Sequence, residues 1–304
     1  MVNPFEQPGA WLRCALHAHT TNSDGELAPP LLVRHYERAG FDVLAITDHW
    51  VRTDAASTDR LLVVPGVELN GRLDGSDRDA HVLALGVADE PERPAGEFPP
   101  LEAVTSWIED NGGVAFLAHP YWSGLSAGSI ADGARLRGLE VFNAGCELEV
   151  GRGLSAVQWD EALEAGLAWL GIATDDTHHP GFDSAYAWTW VRAEPTPAAV
   201  VGALRDGAFY SSTGPEIESL AIEDGVVEVR CSGARRITLL TGRMRGASVS
   251  SGRLGYKHRG EILALGESGS IAAARLTAPP HAPYGRLEVE DDAGRAAWTN
   301  PLWM

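Results

Sequence analysis

Lysine occurs once in the 304 residues, at Lys257, and basic side chains number only 24 against 42 acidic ones, a formal charge of −18. So little positive charge excludes an extended surface for a nucleic-acid duplex, because a phosphate lattice is held through many Lys and Arg contacts. A small anionic ligand in a local pocket remains compatible with it. Cysteine is scarce as well. Cys14, Cys146 and Cys231 are odd in number, far apart and in neither metal nor redox spacing. That excludes a disulfide framework and a thiolate zinc site, and points to reduced thiols in a cytoplasmic protein. No uninterrupted apolar run approaches the roughly 20 residues a membrane helix needs. The N-terminal stretch, with Glu6 and two prolines, lacks the basic and apolar regions of a signal peptide. Repeats and low-complexity tracts are also missing. What remains, 44% hydrophobic and 22% charged, is an ordinary globular composition whose length fits one large domain or one large and one small.

The first two thirds alternate short apolar runs with helical patterns. Strands are expected at 11–17, 42–47, 61–69, 80–86, 114–118, 138–142, 168–173 and 186–192. The third and fourth are joined by a charged, glycine-containing turn. Helices are expected from Pro29-Pro30 to Ala39 with a stop at Gly40, at 101–111 before Gly112-Gly113, and near 154–165 and 197–206. Continuous apolar runs separated by helices suggest parallel strands covered on both faces, hence an α/β barrel or open sheet. After Gly214 the grammar changes. VVEVRC, RITLL, IAAARLTA and GRLEVED alternate, with turns at Asp224-Gly225 and around Asp292-Ala293-Gly294, which reads as a small antiparallel β domain. The expected division is therefore 1–214 and 215–304. The aromatic ending AWTNPLWM is expected to pack back on the body rather than trail as a tail.

Chemistry gathers where the strand runs of the first part end. His17-x-His19 with Asp24, Thr47-Asp48-His49, Glu68, His81, His119 before Pro120, and Asp176-x-His178 all fall there. In a parallel barrel the strand C-termini share one face, so these side chains can converge. Imidazole and carboxylate without thiolate suit catalytic Zn, Mn or Fe better than a closed structural zinc site. Each piece alone is weak; the repetition at strand after strand is the signal.

The order H-x-H-x4-D, T-D-H, G-V-E, H, A-H-P, D-x-H resembles the polymerase and histidinol phosphatase family, the PHP domain, over about residues 11–213. FYSSTGPEI and AWTNPLW further resemble its stand-alone members with an appended β domain, some of them carbaryl-hydrolase-like. The resemblance implies an α/β fold, a distorted seven-stranded (β/α) barrel of PHP type, followed by a small C-terminal antiparallel β domain. It also implies two or three divalent metal ions (Zn, Mn or Fe). His17, His19 and Asp176 would hold one ion, Glu68 would bridge it to a second completed by His81 and His119, and Asp24, His49 and His178 would hold a third. Many members have histidine where this chain has Asp24, and the third ion is the one expected to be labile. Glu68, Asp176 and His178 are implied to be catalytic as well as ligating. Asp175 paired with Thr177 does not fit the D-x-H spacing, and His179 would lie outside the ligand shell.

The activity so implied is that of a metal-dependent phosphoesterase, a phosphoric ester hydrolase working by metal-activated hydroxide at a di- or trinuclear site. Its substrate would be small and anionic: a nucleotide, a short oligonucleotide or a sugar phosphate. The alternatives are a hydrolase of carbamate or carboxylic esters on the same metals, and a metal-binding module without catalysis. Basic side chains lining the pocket would favour the phosphoesterase. Around the motifs, Trp50, Tyr121 and Trp122 are candidates to rim the pocket, or to pack loops onto the barrel. Arg52 is a candidate phosphate contact or a plain surface charge. Asn70 and Asn143 would orient a ligand or end a strand, and Asp48 would orient His49 or serve a turn. The proton donor is open among metal-bound water, Asp48 and His179.

Overall fold

The computed structural model describes residues 2–73, 78–130, 134–252 and 255–303. The chain forms two compact units, one of Pro8–Asp206 and one of Met1–Gln7 with Gly207–Met304. The division after Asp206 falls earlier than the change of pattern at Gly214.

The Pro8–Asp206 unit carries strands β1 (Ala10–Ala15), β2 (Val43–Ile46), β3 (Leu62–Arg72), β4 (Asp79–Leu85), β5 (Val114–Leu117), β6 (Gly138–Asn143), β7 (Leu170–Thr174) and β8 (Trp188–Ala193). Its helices are α1 (Pro29–Arg38), α2 (Leu101–Asp110), α3 (Ala144–Val150), α4 (Ala156–Glu164) and α5 (Pro197–Asp206). The strands lie in the order β8-β1-β2-β3-β4-β5-β6-β7. Every residue of β2, β5 and β7 is buried, as continuous apolar runs require of strands covered on both faces. The Thr189 hydroxyl on β8 bonds both the N–H and the carbonyl of Ala173 on β7, so the two ends of that strand order meet at a side chain.

The sheet is mixed, which corrects the all-parallel expectation. β1-β2-β3 and β5-β6-β7 run parallel, whereas β4 is antiparallel to β3 and β5, and β8 to β1. The β3–β4 connection is too short for a crossover, and parallel neighbours need a dozen or more residues between them. Four residues of the turn expected there, 74–77, lie outside the described ones. α1 opens on its two prolines and buries Leu32, Val33 and Tyr36 against Leu44, Ile46 and Leu61. α3 is an addition to the expected elements. It is too short for a period to show, and Asn143 starts it by accepting a hydrogen bond from the Cys146 N–H.

The second unit is antiparallel throughout. Its strands are β9 (Phe209–Ser212), β10 (Ile217–Glu223), β11 (Val226–Ala234), β12 (Arg236–Leu240), β13 (Gly246–Ser250), β14 (Lys257–His258), β15 (Gly260–Leu265), β16 (Ile271–Thr277), β17 (Tyr284–Glu290), β18 (Ala296–Thr299) and β19 (Leu302–Trp303). β14-β13-β12-β17-β18-β9 form one layer, with β19 beside β17, and β10-β11-β16-β15 form the other. Asp224-Gly225 makes the β10–β11 turn with φ of 48° and 75°, the positive pair a two-residue hairpin of primed type uses. β9 belongs to this unit because it pairs with β18, Ser212 opposite Ala297. The first residues join it too: Asn3 donates to the Leu220 carbonyl, and Phe5 stacks on Tyr210. The C-terminal segment packs here, with Trp298 buried and Asn300 donating to the carbonyls of Gly207 and Phe209.

No described helix is long and apolar enough to cross a membrane.

Candidate metal centre

His17 and His19 follow β1 on either side of Ala18, which bridges to Thr177. Their Nε2 atoms lie 3.1 Å apart and both rings are fully buried. His49 follows β2, His119 follows β5, and Asp176 and His178 follow β7. Glu68 and His81 depart from that rule, since each sits inside a strand. The antiparallel β3–β4 pair explains it: His81 opposes Asn70 near the start of β4, at the same edge where the parallel strands end. Glu68 and His81 are thus diagonal neighbours on one face.

Glu68 stands at the centre. Its Oε2 lies 3.2 Å from His17 Nε2, 3.3 Å from His19 Nε2 and 3.3 Å from His49 Nδ1. Its Oε1 lies 2.8 Å from His81 Nδ1 and 3.4 Å from His119 Nε2. Asp176 Oδ1 is 3.1 Å from His17 Nε2 and 3.2 Å from His19 Nε2. Asp24 reaches His49 at 3.4 Å and His178 at 3.5 Å. Three donor groups result, each with its ligand atoms within 4.8 Å of one another: His17, His19, Glu68 and Asp176; Glu68, His81 and His119; His19, Asp24, His49 and His178. All nine expected ligand residues are brought together, and His19 takes part in two groups.

These donors fit divalent ions for a reason visible in their hydrogen bonds. His17 Nδ1 is 2.8 Å from the buried Glu140 carboxylate, and His178 Nδ1 is 3.0 Å from the Asp176 carbonyl. Each ring's N–H is thereby held outward and its Nε2 lone pair turned into the cluster, the arrangement that orients metal-bound imidazoles. Asp176 Oδ1 is buried and accepts no hydrogen bond, although two Nε2 atoms stand near it. A buried carboxylate oxygen left without a hydrogen bond beside inward-facing ring nitrogens is what a cation would satisfy.

Charge agrees with geometry. Burial alone would lower the His17 and His19 imidazoles; the facing carboxylates instead raise His17 well above its ordinary value and His19 to about 9. Burial would raise Glu68 and Asp176, and the imidazoles hold both well below the usual carboxylate range. The backbone is unusual at the same place. His119, before Pro120, has φ of 30°, Asp176 56° and the bulky Trp50 58°. Left-handed backbone at non-glycine residues costs energy and gathers at functional sites. Gly25 is needed for close approach, because a Cβ there would stand 2.3 Å from the His19 carbonyl.

The other expected residues separate. Trp122 lines the pocket. Trp50 is buried, stacked on Phe98 and donating to Asn70, so both are packing residues. Tyr121 lies outside the pocket wall with the Arg152 guanidinium 5.7 Å from its ring. Arg52 is turned to the Val87 carbonyl and Asp54 and does not line the pocket. Asp48 is buried and accepts from Thr20, Ser23 and Thr53, which makes it a buttress rather than a proton donor. Asp175 likewise ties Tyr36 to the backbone of 185–187. His179 is outside the donor groups yet lines the pocket. Asn143 donates to Asp176 Oδ2 and to Glu140. Glu140 escaped sequence reasoning; its signal is a charge inside the run GLEVF. Glu149, Phe182 and Asp183, also in the pocket wall, carried no motif.

No family model matches the sequence, and no curated protein matches it either. Among solved structures, the chain is similar to a two-domain protein of Bacteroides vulgatus containing a predicted PHP-like metal-dependent phosphoesterase. The TM-score is 0.51 at 16% identity, over 99% of this chain and 98% of that one. An amidohydrolase of Chromobacterium violaceum with bound sulfate and no metal matches at TM-score 0.41 and 18% identity, over 56% of this chain and 89% of its own. A candidate metal-dependent phosphoesterase of Bifidobacterium adolescentis matches at TM-score 0.39 and 18% identity, over 55% and 88%. The fold is thus shared, over nearly its whole length, with a two-domain PHP-like protein.

Proposed function

We propose that this protein is a metal-dependent hydrolase of PHP type that cleaves phosphoric esters of small molecules. The observation that carries the reading is Glu68, whose two oxygens divide between two sets of imidazoles as a bridging carboxylate does. His17, His19 and Asp176 would hold one divalent ion, His81 and His119 a second, and Asp24, His49 and His178 a third, as Zn, Mn or Fe. The curled sheet with Thr189 at its meeting ends is read as the distorted (β/α) barrel, with residues 215–304 inside the appended β domain. Divalent ions bound there supply Lewis acidity and make hydroxide available near neutral pH. The chain's own part is to fix those donors: Glu140 holds the proton of His17 outward, and Asp176 and Glu68 stay ionised. His179, rather than Asp48, is the side chain placed to pass a proton to a leaving oxygen, because it alone of the two lines the pocket.

One observation favours a second reading, hydrolysis of carbamate or carboxylic esters: no arginine or lysine lines the pocket among the described residues. Metal analysis and a screen of p-nitrophenyl phosphate, bis(p-nitrophenyl) phosphate and naphthyl carbamate decide between the two. Activity on a phosphate ester, with Glu68→Gln losing metal and falling by at least about a hundredfold, is the expected result. Turnover of the carbamate alone sinks the phosphoesterase reading.

A further inference from the structure

The pocket around the donor groups has a volume of about 430 Å³. Beyond the donors its wall is built by Trp122, Cys146, Glu149, His179, Phe182 and Asp183. Asp183 is a buried carboxylate: its Oδ2 accepts from the backbone N–H groups of His178 and His179, and its Oδ1 has no hydrogen-bond partner. Glu149 is different. It extends from α3, is exposed, and is placed by a single hydrogen bond, 3.2 Å from Trp122 Nε1. Trp122 is in turn fixed edge-on against the His119 ring, with centroids 5.0 Å apart. Two carboxylates, Asp183 and the exposed Glu149, therefore stand in the wall beside the donors, with no arginine or lysine in that wall among the described residues.

A phosphate monoester carries about −1.5 to −2 charge at pH 7, and a diester carries one. Repulsion from a fixed carboxylate scales with that charge. We infer that Glu149 sets the substrate class of this pocket: esters bringing at most one negative charge, with a flat leaving group against Trp122 and Phe182, in preference to dianionic monoesters. The inference rests on the hydrolase reading above. For a diester, one P–O bond to the leaving oxygen breaks as one forms from water. One proton of that water ends on the leaving phenol, and the other is released as the new phosphate oxygen ionises. The product monoester is dianionic, so the same charge that admits the diester expels the product before a second cleavage.

The test uses the full chain loaded with manganese. Expected is a kcat/KM for bis(p-nitrophenyl) phosphate at least about tenfold above that for p-nitrophenyl phosphate. One equivalent of phenol should be released per phosphorus, with the monoester accumulating. Glu149→Gln keeps an acceptor for Trp122 and removes the charge. It should narrow the preference about three- to tenfold, through KM for the monoester, and tighten inorganic phosphate binding by a similar factor in calorimetry. Raising salt from about 0.05 to about 0.5 M should narrow the preference in the parent more than in the variant. A parent that prefers the monoester, or a Glu149→Gln variant with unchanged preference and phosphate affinity, overturns the inference. If no ester is cleaved, the hydrolase reading fails, and the substrate preference with it; the phosphate titration then still reports whether Glu149 repels dianions.

Discussion

A fully buried carboxylate that takes His17 Nδ1, the His119 backbone N–H, Asn143 and Thr174 at once, as Glu140 does, fixes the His17 imidazole, the backbone after β5 and the ends of β6 and β7 together. Replacing it by glutamine puts an N–H where an acceptor is needed and leaves at least one of those donors unmatched. Glu140→Gln should weaken metal binding about 10- to 100-fold, the usual effect of losing a partner behind a ligand. Equal metal content in parent and variant after dialysis against a weak chelator would refute the role. His19 gives a pH prediction at the same scale. Its imidazole is raised from 6.5 to about 9 in the metal-free protein. Its contribution is therefore fully present below pH 6.5 and is lost as pH climbs toward 9, on the order of 3 kcal/mol. Denaturant melts of chelator-treated protein at pH 6 and 9 should show the drop. Metal displaces that proton, so affinity should rise over the same range, with proton release detectable in buffers of different ionisation enthalpy. The donors themselves were legible because H-x-H, T-D-H and D-x-H stand at strand ends. Glu140 was hidden, since one acid in an apolar run has no spacing to betray it.

Elements decide which of those legible residues meet. A single reversed strand, β4, brings His81 to the edge where β1, β2, β5 and β7 end, and no apolar run announces strand direction. The short connection from Arg72 to Asp79 was the available clue, because it excludes a crossover. α3 went unseen for a different reason: seven residues are fewer than two full periods need, and a cap, not a pattern, starts it. Asn143 is that cap and also bonds Glu140 and Asp176. Asn143→Ala should therefore cost about 1–2 kcal/mol, cap and buried partners together. Asn143→Asp keeps the cap acceptor but sets a second carboxylate beside Asp176. If alanine and aspartate variants melt with the parent, α3 is held by something other than this side chain.

At the scale of the molecule, the site uses three of the 42 acidic residues, Asp24, Glu68 and Asp176. Two or three divalent ions on three carboxylates give the cluster a formal charge of about +1 to +3. On the proposed function the remaining acidic residues belong to no donor group of a centre that would be cationic when loaded, which would disfavour long polyanions and admit small esters. Ions bound there would be part of the stability of the Pro8–Asp206 unit, because the nine donors come from six separated stretches of chain that an unfolded chain cannot hold together. Free ion at a hundred times its dissociation constant contributes about 2.7 kcal/mol per site. For a unit of this size each kcal/mol moves the melting temperature by about 2–4 °C. Excess chelator should therefore lower the melting temperature of this unit by about 5–10 °C per site emptied. Hydrogen exchange assigns the loss: amides at 17–19, 47–49, 118–119 and 176–178 should lose protection. Superimposable scans with and without chelator would mean that the donors hold no ion, and that the imidazole–carboxylate pairs alone support the fold.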